Sequence, residues 1–458
     1  MDEAPEEELD AVDQVVRGAA QATATWQQAL RREPVQGSVE DAAPLVRYRS
    51  VAGQRALSAL ALRRVPSHEL AWLDALRRWV SALTVLRVTE AQRAAVARVE
   101  SEVSVRVQLE TVQETTFRSA WKGLLRSKSH TEASAWLRGL AERGPAVAAV
   151  RRVQAEREEE AVRRLGFTTW ANPVEGASPD ALDAAGLSFL DETRDLSRAL
   201  RGEAERRGDR GAETFVGALL GAVARDAPEG WPACLTLRTL VDTLGMPENV
   251  GRGLRVRATM PDVLGAASFS RALESFAVAY RQAAAAASSL PFALAVDPCF
   301  VDAHRFGFAF GALPMTVAYQ RRGLGLSARV AVGQARTLAK TSLAHARGVA
   351  LASLLSRSAS RPDRARFEEL ACDVYGDGVP QDLCGAFPRG RGGEQVRLHA
   401  LLTTLPFLND LRDHFDEDWF RSPHAWRFLR VRASGPARVG DDRVAPVALA
   451  RAFEAALA

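Results

Sequence analysis

Ser268-Phe-Ser-Arg-Ala-Leu-Glu-Ser-Phe-Ala-Val-Ala-Tyr-Arg281 is the stretch on which the reading of this chain turns. Its Phe269, Leu273, Phe276, Ala277 and Tyr280 recur at three- and four-residue intervals, so they share one side of a helix. Glu274 and Val278 stand one helical turn apart on a single face, and Ser275 lies between them. Periodicity alone describes an amphipathic core helix in which Glu274 pairs with Arg271 or Arg281.

Outward from that helix the pattern stays helical. Before it, Gly253-Leu-Arg-Val-Arg-Ala-Thr-Met260 alternates apolar and polar residues and is the best strand candidate in the chain. After it, Phe300-Val-Asp-Ala-His-Arg-Phe-Gly-Phe308 starts another helix. There Asp302 and His304, two residues apart, point to different sides. From Ala11 to about Arg164 helices are expected throughout, broken at Pro34–Gly37, Pro66-Ser67 and Gly144-Pro145. Ser67 is the expected cap of the helix holding Trp72, Leu73 and Leu76, and Gly166 the expected left-handed residue after Arg164. Ser178-Pro179-Asp180 reads as another helix start. No fixed period recurs, which argues against a solenoid.

Composition sets the class. The 458 residues are 47% hydrophobic and 25% charged, the balance of a globular protein. The net charge is +4, carried by arginine, because Lys122, Lys128 and Lys340 are the only lysines. Acidic and basic residues alternate along the helices instead of gathering into a basic stripe, so nucleic acid is not an expected partner. Apolar runs such as Leu290–Val296 are far shorter than a membrane span, and Met1–Asp10 is acidic, unlike a secretory signal. A cytoplasmic, bacterial setting is the expectation. Cys234, Cys299, Cys372 and Cys384 form no metal-binding pair and read as buried thiols. The loop Pro388–Gly393 lacks the lysine ending of a phosphate-binding loop.

Several points together resemble a known family. Glu156–Trp170 runs from an acidic and arginine-rich helix into Leu-Gly-Phe and an aromatic. Asp416-Glu-Asp-Trp-Phe-Arg-Ser-Pro-His-Ala425 is an acidic, aromatic, Arg-x-Pro tail. With the strand and the Ser268–Arg281 helix between them, this order resembles the thimet-oligopeptidase and oligoendopeptidase F type zinc peptidases. In that family a His-Glu-x-x-His helix binds zinc through two imidazoles, and its glutamate activates the metal-bound water. On that pattern Glu274 stands at the first histidine, Ser275 at the glutamate and Val278 at the second histidine. Asp302 is the nearest counterpart of the third ligand. The family's late tyrosine has no counterpart, since Tyr48, Tyr280, Tyr319 and Tyr375 all precede the tail, and His399, His414 and His424 read as surface or capping residues.

The resemblance implies a mainly α fold, zincin-like and helical, with a small residual β-sheet near 253–260. Composition marks residues 1–10 as a disordered acidic tail and the helical pattern marks an N-terminal helical region over 11–165, while the resemblance implies a degenerate peptidase-like region over 166–458. The implied function is a pseudopeptidase that binds a peptide without zinc or any other cofactor. Its peptide would be a precursor peptide shown to a separate modifying enzyme in natural-product biosynthesis. Glu274, Val278, Tyr280, Asp302, His304 and Arg257 are the candidate peptide contacts. Two alternatives stay open: a helical interaction scaffold without a channel, marked by a flat patch of Trp170, Trp419 and Trp426, or a metal-independent enzyme using Glu274 and Asp302.

Overall fold

The computed structural model describes residues 4–30, 44–127, 130–167, 178–206, 231–232, 235–237, 239–246, 264–357, 359–376, 379–387, 393–438 and 444–458. Among these the protein is mainly helical, with one two-stranded antiparallel sheet. The candidate strand at 253–260, Arg257 and Trp170 lie outside the described residues.

Helix α1 (Ala4–Ala29) begins within the segment expected to be a disordered tail. The reason is apolar spacing: Leu9, Val16 and Ala19 are buried and carry the helix onto its neighbours. Those neighbours are α2 (Gln54–Leu62) and α3 (Leu70–Glu102). Ser67 does not cap α3. It opens a 3-10 turn, Ser67–Glu69, and the helix proper starts one residue later. Trp72, Leu76, Trp79 and Leu83 of α3 face α1 and α2, while Val85 meets the next long helix.

The sheet interrupts a stretch expected to be helical. Strand β1 (Ser104–Gln108) pairs with β2 (Val112–Thr116), Arg106 opposite Glu114. Val105 and Val107 alternate with polar residues, and both are buried, which is the two-residue period of a half-buried strand. Thr116 closes the hairpin by accepting the Ser119 N–H at 3.1 Å, starting α4 (Phe117–Arg126). Helix α5 (His130–Arg164) then runs straight through Gly144-Pro145, expected as a break. The hairpin lies directly on α5: a Cβ at Gly139 would stand 2.6 Å from the Arg106 carbonyl oxygen. Gly166 ends α5 at φ +83°, as its position predicts.

Then come α6 (Pro179–Glu192), α7 (Arg194–Arg206) and the short α8 (Leu240–Thr243). The opening stretch is α9 (Ala266–Ala286), with Phe269, Leu273, Phe276, Ala277 and Tyr280 all buried. It is followed by α10 (Phe292–Ala295), α11 (Val301–Ala312), α12 (Val317–Arg322) and α13 (Ala328–Arg357). The last helices are α14 (Arg364–Tyr375), α15 (Glu394–Leu402), α16 (Thr404–Phe415), α17 (Pro423–Ser434) and α18 (Pro446–Leu457). No helix among the described residues is long and apolar enough to cross a membrane.

Two large cores meet near α9. One joins the hairpin, α5, α6, α13, α14, α15 and α18. The other joins α9, α11, α16 and α17, and it buries Trp419 and Trp426 at 1% exposure. Those two tryptophans therefore form no surface patch. The acidic-aromatic tail is a core-filling segment, with Phe310 packed edge-on against Trp419 at 5.3 Å. The N-terminal helices are stitched across residue 165. Buried Asp13 accepts the Phe292 and Ala293 N–H groups, each at 2.8 Å, and Trp79 donates to the Val296 carbonyl at 2.7 Å.

Candidate functional site

Helix α9 packs most closely on α11. A Cβ at Gly307 would lie 2.9 Å from Val278 Cγ2 and 3.1 Å from Glu274 Cγ. One turn on, Gly311 admits Glu274 Cβ and the Ser270 carbonyl. Glycine at both positions lets the two helices approach this far, and the face of α9 carrying Glu274 and Val278 is occupied by that contact. The residue that α11 presents there is Gly307, not Asp302.

Glu274 reaches past α11 to two other helices. Its Oε2 lies 3.4 Å from His345 Nε2 on α13, and its Oε1 accepts from Arg397 Nη2 on α15 at 3.4 Å. Arg271 Nη2 stands 3.3 Å from His345 Nδ1. A guanidinium only donates, so Nδ1 is the acceptor and Nε2 carries the ring hydrogen, close to Glu274 but without an aligned hydrogen bond to it. The order is therefore Arg271 to His345 to Glu274, with Arg397 on the far oxygen.

Burial pushes the Glu274 carboxyl up, but the His345 contact and the Arg397 and Arg271 charges outweigh it and hold the group well below the usual range. Desolvation, reinforced by Arg271, lowers His345, so the imidazole is neutral at pH 7 and contributes to Glu274 as a dipole. The ionised state of Glu274 thus rests on the two guanidiniums. His304 lies in the field of the same groups. Desolvation first, then Arg397, pushes it down to about 4, against an opposing pull from Glu274.

These side chains border a half-open cavity of about 150 Å³. Arg271, Glu274 and His345 line one polar side, and Thr341, Ser342, Thr404 and Arg412 add further polar groups. Phe308, Leu401, Leu408, Leu449 and Phe453 supply much of the apolar wall. Phe308 stands between the cavity and Arg397, whose guanidinium carbon is 5.8 Å from the ring centre.

The other candidate residues do not join this group. Asp302 is buried and held by Arg281 Nε at 2.8 Å and Arg305 Nη1 at 3.4 Å. Arg281 also donates to the carbonyls of Ala433 and Ala295, so this cluster ties α9, α11, α10 and α17 together. Tyr280 is buried against Trp426, 5.9 Å between ring centres, and burial pushes its phenol up to about 12. Arg281 therefore pairs with Asp302 rather than with Glu274. His399, expected at the surface, is buried at 3% exposure.

Sequence reading missed His345 and Arg397. Neither belongs to a local motif, and Arg397 lies 123 residues from Glu274 along the chain. Tyr375 was also missed. It is partly buried beside Arg271, and desolvation pushes it up to about 12.

The donor set on α9 does not fit zinc. Val278 has no ligating atom, Ser275 carries no carboxylate, and Asp302 is committed to two arginines. Among the described residues no group of three or more His, Cys, Asp or Glu side chains is placed to hold a metal ion. Neither a family model nor a curated protein matches the sequence, so the oligopeptidase resemblance rests on the residues quoted above.

Proposed function

We propose that this chain is a peptide-binding protein on a degenerate, oligopeptidase-like helical scaffold, and that it does not hydrolyse what it binds. The observation that carries this reading is the half-open cavity beside α9, apolar on most sides, charged at Arg271 and Glu274 and polar at His345. Small-molecule and peptide sites have this make-up, an apolar wall with a few convergent polar groups.

Hydrolysis has no support from the same residues. The position of the general base holds Ser275, whose hydroxyl cannot take a proton from water at neutral pH. Glu274 is ionised, but its oxygens face Arg397 and His345, which lowers its basicity. Glu274 and Asp302 stand in separate ion clusters, so they do not make an acid and base pair. A cavity of this kind on a scaffold without the metal suits a protein that presents a peptide, such as a precursor peptide, to a separate modifying enzyme.

Calorimetry of the purified protein against short peptides, with a quenched-peptide cleavage assay and metal analysis, tests this. The expected result is saturable binding tighter than about millimolar, with no turnover and no effect of chelator. Stoichiometric zinc with turnover would overturn the inactive reading. Failure of every peptide to bind at that level would overturn peptide binding.

A further inference from the structure

The charges along the cavity do not cancel. Arg271 and Arg397 are cations, Glu274 is the one carboxylate that lines the cavity among the described residues, and the nearby histidines are neutral. Glu274 is engaged with Arg397 and His345. The cavity's other guanidinium, Arg412, already faces Glu417 at 3.6 Å. Arg271 has no ion pair among the described residues, and its one hydrogen-bond partner is the neutral ring of His345. It is nonetheless exposed within the cavity.

Two guanidiniums against one carboxylate leave a net positive charge beside the cavity, and Arg271 is the exposed one, a receptor for an anion with two acceptor oxygens. The rest of the wall is mainly aliphatic and aromatic, with Thr341, Ser342, Thr404 and Arg412 among it. A cavity of about 150 Å³ is the size that admits a benzene-sized group, so it holds one apolar side chain and not an extended segment.

Building on the peptide-binding reading, we infer that the cavity captures an apolar carboxylate, the free C-terminal residue of a peptide. Its carboxylate sits on Arg271, and its side chain sits among Phe308, Leu401, Leu408 and Phe453. The carboxylate completes the charge balance that the folded chain leaves open. The apolar wall selects leucine- or phenylalanine-like termini over charged ones, because an ionised side chain would be stripped of water without a partner. A free acid such as octanoate offers the same chemistry without a peptide backbone.

The test uses the full chain and four ligands in calorimetry: an acetylated tetrapeptide ending in free leucine, its C-terminal amide, the same peptide ending in aspartate, and octanoate. The free-acid leucine peptide is expected to bind at least tenfold tighter than both other peptides, and tighter than octanoate. In Arg271→Gln, checked for native circular dichroism, the preference for acid over amide should vanish while weak amide binding persists. Equal affinity of acid and amide for the unaltered protein would overturn carboxylate capture and leave peptide binding standing. Binding of octanoate alone would support carboxylate capture and overturn the peptide terminus as its source. Silence from all four would overturn both.

Discussion

Glu274 Oε2 faces His345 Nε2 at 3.4 Å, although the two residues belong to different helices and lie far apart in the chain. The imidazole is oriented from behind by Arg271 at its Nδ1. The Arg397 and Arg271 guanidiniums keep ionised a carboxylate that would otherwise protonate on burial, and α9, α13 and α15 are tied at one point by Glu274, His345 and Arg397.

Replacing Glu274 by Gln keeps the shape and removes the charge. Arg271 and Arg397 are then left without a counter-charge, and we expect a loss of about 2 kcal/mol in urea unfolding at pH 7. The carboxyl is depressed in the folded state, so its contribution is present above the unfolded value of about 4.3 and fades as pH falls further. The deficit of Glu274→Gln should therefore shrink below pH 4. A deficit that stays constant from pH 7 to pH 3 would mean the Glu274 charge does not carry it.

His304 gives the fold a second acid sensitivity at higher pH. Its folded value is down near 4, while the unfolded chain takes a proton near 6.5. The unfolded state binds more protons between these values, so stability is full above pH 6.5 and falls as pH drops toward 4. The half-buried ring should supply about 2 kcal/mol of this loss. Unfolding curves at pH 7.5, 6, 5 and 4 for the unaltered protein and His304→Gln measure it. A variant with the same slope over that window would assign the acid loss to other groups.

The sequence shows α9 plainly because its apolar residues repeat at helical spacing over the whole stretch from Phe269 to Tyr280. The hairpin is less visible. Only Val105 and Val107 carry its buried face, and two residues do not separate a period of two from the end of a charged helix. Pro145 reads as a stop, yet tertiary packing carries α5 through it. Glu274 and His304 are recognisable as candidates from their helices. The site's other half is not, because His345 and Arg397 acquire meaning only when α13 and α15 fold against α9. Asp302 misleads for the same reason: its arginine partners are hidden until the helix ends meet.

The approach of α9 to α11 predicts a steric pair. Gly307→Ala brings a methyl group 2.9 Å from Val278 Cγ2 and 3.2 Å from the Glu274 carbonyl oxygen. Overpacking of this kind costs about 1–3 kcal/mol. Val278→Ala removes the Cγ2 atom, so Gly307→Ala should be milder in that background, with a favourable coupling energy in a double-mutant cycle. Simple additivity of the two changes would show that backbone crowding, rather than the valine, sets the limit.

The Asp302 cluster should govern stability and leave the cavity alone. Asp302→Ala strands Arg281 and Arg305 in the core, where removing one partner of a buried ion pair costs about 3–5 kcal/mol. Asp302→Asn keeps one acceptor oxygen and should cost less. Adding Arg281→Met to Asp302→Ala removes one stranded cation and should recover part of the loss. The recovery is incomplete, because Arg281 also binds the carbonyls of Ala433, Ala295 and Gly435 at the junction of α9, α10 and α17. Peptide affinity of folded Asp302→Asn should stay close to that of the unaltered protein, since the residue does not line the cavity. Equal losses of peptide binding in Asp302→Asn and Glu274→Gln, with both proteins folded, would instead place the two carboxylates in one functional unit.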